Sequence, residues 1–128
     1  NRKYKENFIV FGGTKKVTKS HYIFKDNFLD YLYVSKGVIT LAGNLTLSES
    51  FFMKKPILVF PIKNHVEQQL NADLIKDYVI VGDNVKESLG EFLYNLKKLQ
   101  RKINKSKIKC NGAEETVNLL YKIDRGKK

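Results

Sequence analysis

The sequence predicts an α/β fold, a doubly wound parallel sheet with flanking helices. Three observations predict it. Short runs of β-branched and aromatic residues recur along the chain without alternating with polar ones, as in parallel strands covered on both faces. Amphipathic stretches of helical period lie between those runs. No internal repeat or low-complexity linker breaks the alternation, which is the pattern of a sheet wound by crossover helices.

The elements follow in order. "NFIVF" (Asn7–Phe11) reads as the first strand, and the Gly12–Gly13 pair after it as a tight turn. A weaker strand, "HYIF", ends at Phe24. "VITLA" (Val38–Ala42) is the next strand and runs into "AGNLTLSE", a Gly-Asn turn at a helix start. "PILVFPI" (Pro56–Ile62) is a strand with proline at both ends. Beyond it Val66, Leu70 and Leu74 fall at i, i+4 and i+8, one stripe of a helix from about His65 to Asp77. "YVIVG" (Tyr78–Gly82) precedes a longer helix with Asp83 as its expected N-cap. Its stripe is Val85, Leu89, Phe92, Leu93, Leu96 and Ile103. After the polar loop "NKSKIKCNG", a last helix places Ala113, Val117 and Leu120 on one side and acids in its first turn.

At 128 residues the chain suits one domain over 1–128. With 42% hydrophobic and 29% charged residues, the composition is ordinary for a globular domain and argues against disorder of the whole chain. No apolar run approaches the roughly 20 residues that span a bilayer. The one cysteine, Cys110, excludes an internal disulfide framework and fits the cytoplasm. The net charge of +11 suits an anionic partner or a solvated surface. Much of it sits at Arg2, Lys3, Lys5, Lys15, Lys16 and Lys19 and in "KKLQRKINKSKIK" (97–109).

Open parallel sheets bind ligands beyond the carboxyl ends of their strands. The residues to inspect are therefore Gly12–Gly13, Lys25–Asp26, Gly43–Asn44, Lys63–Glu67 and Gly82–Asp83. "FGGTKK" lacks the spacing of either nucleotide-binding glycine loop. "AGNLTLSE" offers a helix start to an anion. From that octet alone, Thr46-x-x-Glu49 as a capping box is the plainer reading of Glu49. "HVEQQLNA" sets Glu67, Gln68, Gln69 and Asn71 in quick succession about one turn, and amides beside a carboxylate both give and accept hydrogen bonds, as hydroxyl groups require. His21 and His65 are too poorly accompanied for a metal site.

Taken together, "AGNLTLSE", "KKPILVFPI" and "EQQLNA" resemble the donor-binding half of the two-domain, Rossmann-like glycosyltransferases of the GT-B fold. The similarity runs from about Tyr22 to Ile103. The named relatives it brings closest are MurG-like enzymes of peptidoglycan synthesis and the UDP-glycosyltransferases of plants and animals; archaeal and bacterial proteins of this type look closer still. Gly43 to Glu49 matches the family's G-x-x-[ST]-x-x-E spacing, and [DEQ]-Q-x-x-N-A follows in order. The resemblance implies that Gly43, Asn44, Leu45 and Thr46 hold the donor diphosphate, and that Glu49 takes the ribose hydroxyls rather than capping. Glu67 and Gln68 would bind the transferred sugar, and Phe24 and Lys25 the uracil edge.

It further implies a UDP-sugar as substrate, with no metal and no separate cofactor. Departures accompany it. Leu41 or Ala42 stands where many plant enzymes have histidine, and the glycine-rich loop that opens this half is not recognisable. The acceptor domain is absent, so the chain is expected to be a C-terminal fragment or a subunit, inactive alone, with no catalytic residue assigned. The expected partners are that missing half and an anionic membrane surface on which the enzyme rests. A UDP-sugar 2-epimerase-like domain and a basic nucleic-acid-binding module are the alternatives; no aromatic-basic motif favours nucleic acid.

Overall fold

A computed structural model describes residues 4–16, 18–23, 26–107 and 112–125. The elements run β1 (Val10–Phe11), β2 (His21–Tyr22), α1 (Phe28–Val34), β3 (Val38–Thr40), α2 (Asn44–Phe52), β4 (Ile57–Val59), α3 (Val66–Ile75), β5 (Ile80–Val81), α4 (Val85–Asn104) and α5 (Gly112–Arg125). Every strand lies inside a run read from the sequence, and every pairing is parallel. The chain is an α/β protein of the Rossmann-like kind, its parallel sheets flanked by helices. It divides into two compact units, Asn1–Val34 and Ser35–Lys128, and the strands divide with it.

The first unit pairs β1 with β2, Val10 opposite His21 and Phe11 opposite Tyr22. Their connection, residues 12–20, is shorter than the usual parallel crossover of about a dozen residues. Gly12 (φ 88°) and Gly13 (φ 78°) make it possible, because both adopt left-handed conformations that turn the chain at once. The glycine pair is thus a turn, as expected. The His21 Nε2 bonds the Gly12 carbonyl oxygen and fastens the turn to β2. Helix α1 went unread in the sequence. Phe11 packs edge-on against Phe28 (ring centroids 5.0 Å) and Tyr31 (5.4 Å), so aromatic packing rather than helix propensity holds α1 in place.

The second unit has strand order β3-β4-β5, with β4 in the middle. Only β4 matches the expectation of a strand buried on both faces. Ile57, Leu58 and Val59 are fully buried, whereas Ile39 on β3 and Val81 on β5 are exposed at the sheet edges. Alternate residues of β4 serve different layers. Ile57 and Val59 pack with Leu47 and Phe51 of α2, Ala72 of α3 and Ile103 of α4. Leu58 turns the other way, into a cluster with Phe92 and Leu99 of α4 and the partly buried Leu89, Leu93 and Leu96. Helices thereby cover both faces, and each fully buried side chain of β4 contributes about 1.5–3 kcal/mol.

Two helix expectations need correction. The N-cap of α4 is Asn84, not Asp83: its Oδ1 accepts from the amides of Lys86 (3.0 Å) and Glu87 (3.3 Å). The α3 stripe is inverted. Val66, Leu70 and Leu74 point outward at 77%, 57% and 71% exposure, while Gln68, Asn71, Ala72 and Ile75 face inward. The inward set also has helical spacing (i, i+3, i+4, i+7), and the small Ala72 lets α3 approach the sheet. The α4 stripe holds except at Val85, which is exposed. In α5, Val117 and Leu120 are exposed; Cys110 lies outside the described residues.

Candidate functional site

The parallel register brings three loops to one edge of the β3-β4-β5 sheet. Thr40 is opposite Val59 and Val59 opposite Val81, so the strands end side by side. Two further bonds carry the alignment past the strands: Phe60 N–H to the Thr40 oxygen and Gly82 N–H to the Val59 oxygen, both 2.8 Å. The segments 41–43, 60–65 and 82–84 therefore leave the sheet together, at the carboxyl edge where such folds bind ligands. A side chain at Gly82 would strike Phe60 and Ser88, which is why the third loop starts with glycine.

The first loop is built around a strained residue. Ala42 is fully buried and has φ 67°, in the left-handed region that alanine disfavours. Gly43 follows with an ordinary φ of −65° and serves as N-cap of α2 without a side chain to offer. The first bond of α2 runs from Leu47 N–H to the Gly43 oxygen (3.1 Å). Ahead of it, the helix supplies no acceptor for the amides of Asn44, Leu45 and Thr46. Gly43, Asn44 and Leu45 are exposed. The donors and the positive end of the macrodipole thus open onto the carboxyl edge, an arrangement that holds anions.

Because α2 starts at Asn44, Thr46 is already inside the helix. The Thr46–Glu49 capping box does not form. Thr46 and Glu49 are both half-buried and, three apart, share a helix face, with Gly43 one step further along it. The left-handed residue at this turn is Ala42, immediately before the Gly-Asn pair.

The second loop leads into α3 through a hydrogen-bonded cap. The Gln68 N–H donates to His65 Nδ1 (3.4 Å), and Gln68 Oε1 accepts from the Ile62 amide (3.0 Å). Gln68 is therefore partly structural; its Nε2 end is the part able to serve a ligand. Glu67 and Gln69 are exposed on the first turn of α3. Asn71 reaches back to the first loop, where its Nδ2 donates to the Ala42 carbonyl oxygen (3.1 Å). That bond joins "AGNLTLSE" to "EQQLNA". Sequence reasoning counted Asn71 among groups for hydroxyls and missed this tie. The available signal was an asparagine well inside a helix, where such residues are disfavoured unless the side chain has another use. Phe24 and Lys25 lie outside the described residues. Among the described residues, no group of three or more His, Cys, Asp or Glu side chains could hold a metal ion.

The family model for glycosyl transferase family 1 matches residues 2–97, which include all three loops and every candidate residue. The chain belongs to glycosyl transferase family 1. Two family relatives bear the name uncharacterized glycosyltransferase. That of Methanopyrus kandleri is 42% identical over 50 residues, 39% of this chain and 14% of the relative. That of Methanosarcina acetivorans is 41% identical over 54 residues, 42% of this chain and again 14% of the relative. The chain thus spans about one-seventh of the length of these glycosyltransferases. No solved structure matches it.

Proposed function

We propose that this family 1 domain is the nucleotide-sugar-binding half of a glycosyltransferase that moves a sugar from a UDP-linked donor to an acceptor hydroxyl. The observation that carries the reading is the open start of α2. Three amides and a side-chain-free cap face the carboxyl edge of the sheet, tied to the amide-bearing helix α3. The donor diphosphate sits at Gly43, Asn44, Leu45 and Thr46. As the glycosidic bond breaks, negative charge grows on that diphosphate, and oriented amides stabilise it without reorganising. Glu49 takes the ribose hydroxyls; Glu67 and Gln68 take the sugar. Phe24 and Lys25 read the base, as in MurG-like and UDP-glycosyltransferase-like sites. No metal is required in this scheme, because the helix start supplies the positive field. The acceptor and the catalytic base belong to a separate half or a partner subunit. The basic face of α4 rests the enzyme on an anionic membrane surface on the cytoplasmic side.

Calorimetric titration tests this with UDP, UDP-glucose, UDP-N-acetylglucosamine and their ADP, GDP and dTDP counterparts. The reading requires a preference for uridine. Glu67→Ala and Gln68→Glu should weaken binding of the intact nucleotide sugar and spare UDP. Gln68→Glu keeps an oxygen that accepts from Ile62 N–H, replaces the amide donor and adds a negative charge. Equal losses for UDP and UDP-sugar would move both residues to the nucleotide end. Absence of nucleotide binding, with salt-dependent binding to random RNA, would favour a nucleic-acid module instead.

A further inference from the structure

We infer that Asn71 is a positioning residue, whose hydrogen bond to Ala42 holds the start of α2 in the conformation that receives the donor diphosphate. The inference rests on the reading of Gly43–Thr46 as the diphosphate site. It begins with the strain at Ala42. An alanine at φ 67° relaxes to negative φ unless the surroundings prevent it. Ala42 is fully buried, so its carbonyl needs a partner within the protein. The Asn71 amide provides one at 3.1 Å, from a different helix. The bond also fixes the direction in which the chain leaves β3. Turning the Ala42 peptide would swing Gly43 and re-aim the free amides that follow it.

Asn71 is suited to the task. It stands on the inward face of α3, beside the buried Ala72 that brings the helix close to the sheet. A carbonyl oxygen needs a donor side chain, which the Asn71 amide supplies, and the carboxylate of Asn71→Asp would face that oxygen with another acceptor. Nothing in the bond requires Asn71 to touch the donor. Its influence on binding runs through Ala42 and the backbone of 43–46.

A cycle of variants in the full chain tests this, comprising Asn71→Ala, the isosteric Asn71→Asp, Ala42→Gly and the double variant Asn71→Ala/Ala42→Gly. Glycine takes positive φ freely, so at position 42 the turn no longer depends on the clamp. In the ligand-free protein, the amide NMR shifts of Asn44, Leu45 and Thr46 should move in both Asn71 variants and return in the double variant. UDP affinity should fall about tenfold or more in Asn71→Ala and Asn71→Asp, and recover in the double variant to within about threefold of Ala42→Gly alone. Melting temperatures establish that each variant is folded, and Asn71→Asp carries the test if the alanine variant is not. Unmoved amide shifts would overturn the clamp. An affinity loss that Ala42→Gly does not reduce would overturn it too, pointing to direct contact with the ligand or to packing alone. If the unmodified chain binds no nucleotide while the shifts behave as described, the clamp stands and the donor reading falls.

Discussion

Gly43 is a glycine that neither backbone nor packing demands. Its φ is −65°, and a Cβ built there meets nothing within 4 Å. In the proposed site that open space belongs to the diphosphate, which gives a sharp contrast for Gly43→Ser. Serine caps helices at least as well as glycine, so stability should hold or rise by about a few tenths of a kcal/mol. UDP affinity should nevertheless fall, by about tenfold if the side chain enters the phosphate space. Melting and calorimetry on the same sample check both halves; unchanged affinity would put the ligand elsewhere. Glu49 makes a parallel case. The sequence read it two ways, and the helix start at Asn44 removes the capping reading. Glu49→Ala should therefore change stability by less than about 0.5 kcal/mol. Its loss of UDP binding should be about 1.5–3 kcal/mol, as for a charged hydrogen bond. Ala42 shows where residue-scale reading ran out. Propensity assigns a left-handed turn to glycine or asparagine, and only the tie from Asn71, remote in sequence, moves it to an alanine.

At the scale of elements, strands were legible and their extents were not. An apolar run records burial, whereas pairing needs a neighbour; "PILVFPI" is seven residues long, yet β4 is Ile57–Val59. Helix α4 was legible because its apolar stripe is also its buried stripe, around Phe92, Leu99 and Ile103. Helix α3 misled for the opposite reason, since its leucines face out while Gln68 and Asn71 face in. Periodicity identifies a stripe without saying which stripe faces the core, and the tie to Ala42 with the Ile62 bond turns the polar one inward. The two helices predict different responses to truncation. Leu74→Gln on the exposed stripe should change stability by less than about 0.5 kcal/mol. Leu99→Ala, 5% exposed against β4, should cost about 2–5 kcal/mol. Urea unfolding of both variants measures the difference, and a large loss from Leu74→Gln would mean that the stripe is covered. Helix α1 was illegible because "FLDYLYV" is short and rich in aromatic residues, and the rings that hold it come from β1 and β2.

For the whole molecule the dominant number is the charge of +11, and the structure arranges part of it. Tyr94, Lys98 and Arg101 on the exposed side of α4, with Lys105 at its C-cap, follow at i, i+4, i+7 and i+11, away from Phe92, Leu99 and Ile103. Lys102 is different, since its Nζ donates to the Asp77 carbonyl oxygen at 3.2 Å. It helps to fasten the end of α3 and is a poor choice for testing surface charge. No helix among the described residues is long and apolar enough to cross a membrane. Near an anionic leaflet each cation contributes about 1 kcal/mol, so Lys98, Arg101 and Lys105 together are worth roughly 100-fold in partitioning. The stripe's aromatic member adds an amphipathic ring suited to the interface. The chain should therefore co-sediment with phosphatidylserine-rich vesicles at low salt and detach as the Debye length shrinks toward about 3 Å at 1 M. The Lys98→Gln/Arg101→Gln/Lys105→Gln variant should lose that binding while keeping its affinity for UDP, because the stripe is separate from the loops at the sheet edge. Partitioning that ignores lipid charge, or is absent at low salt, would make these cations a solvated face. Binding that survives the triple substitution would move the contact to the basic residues before Val34.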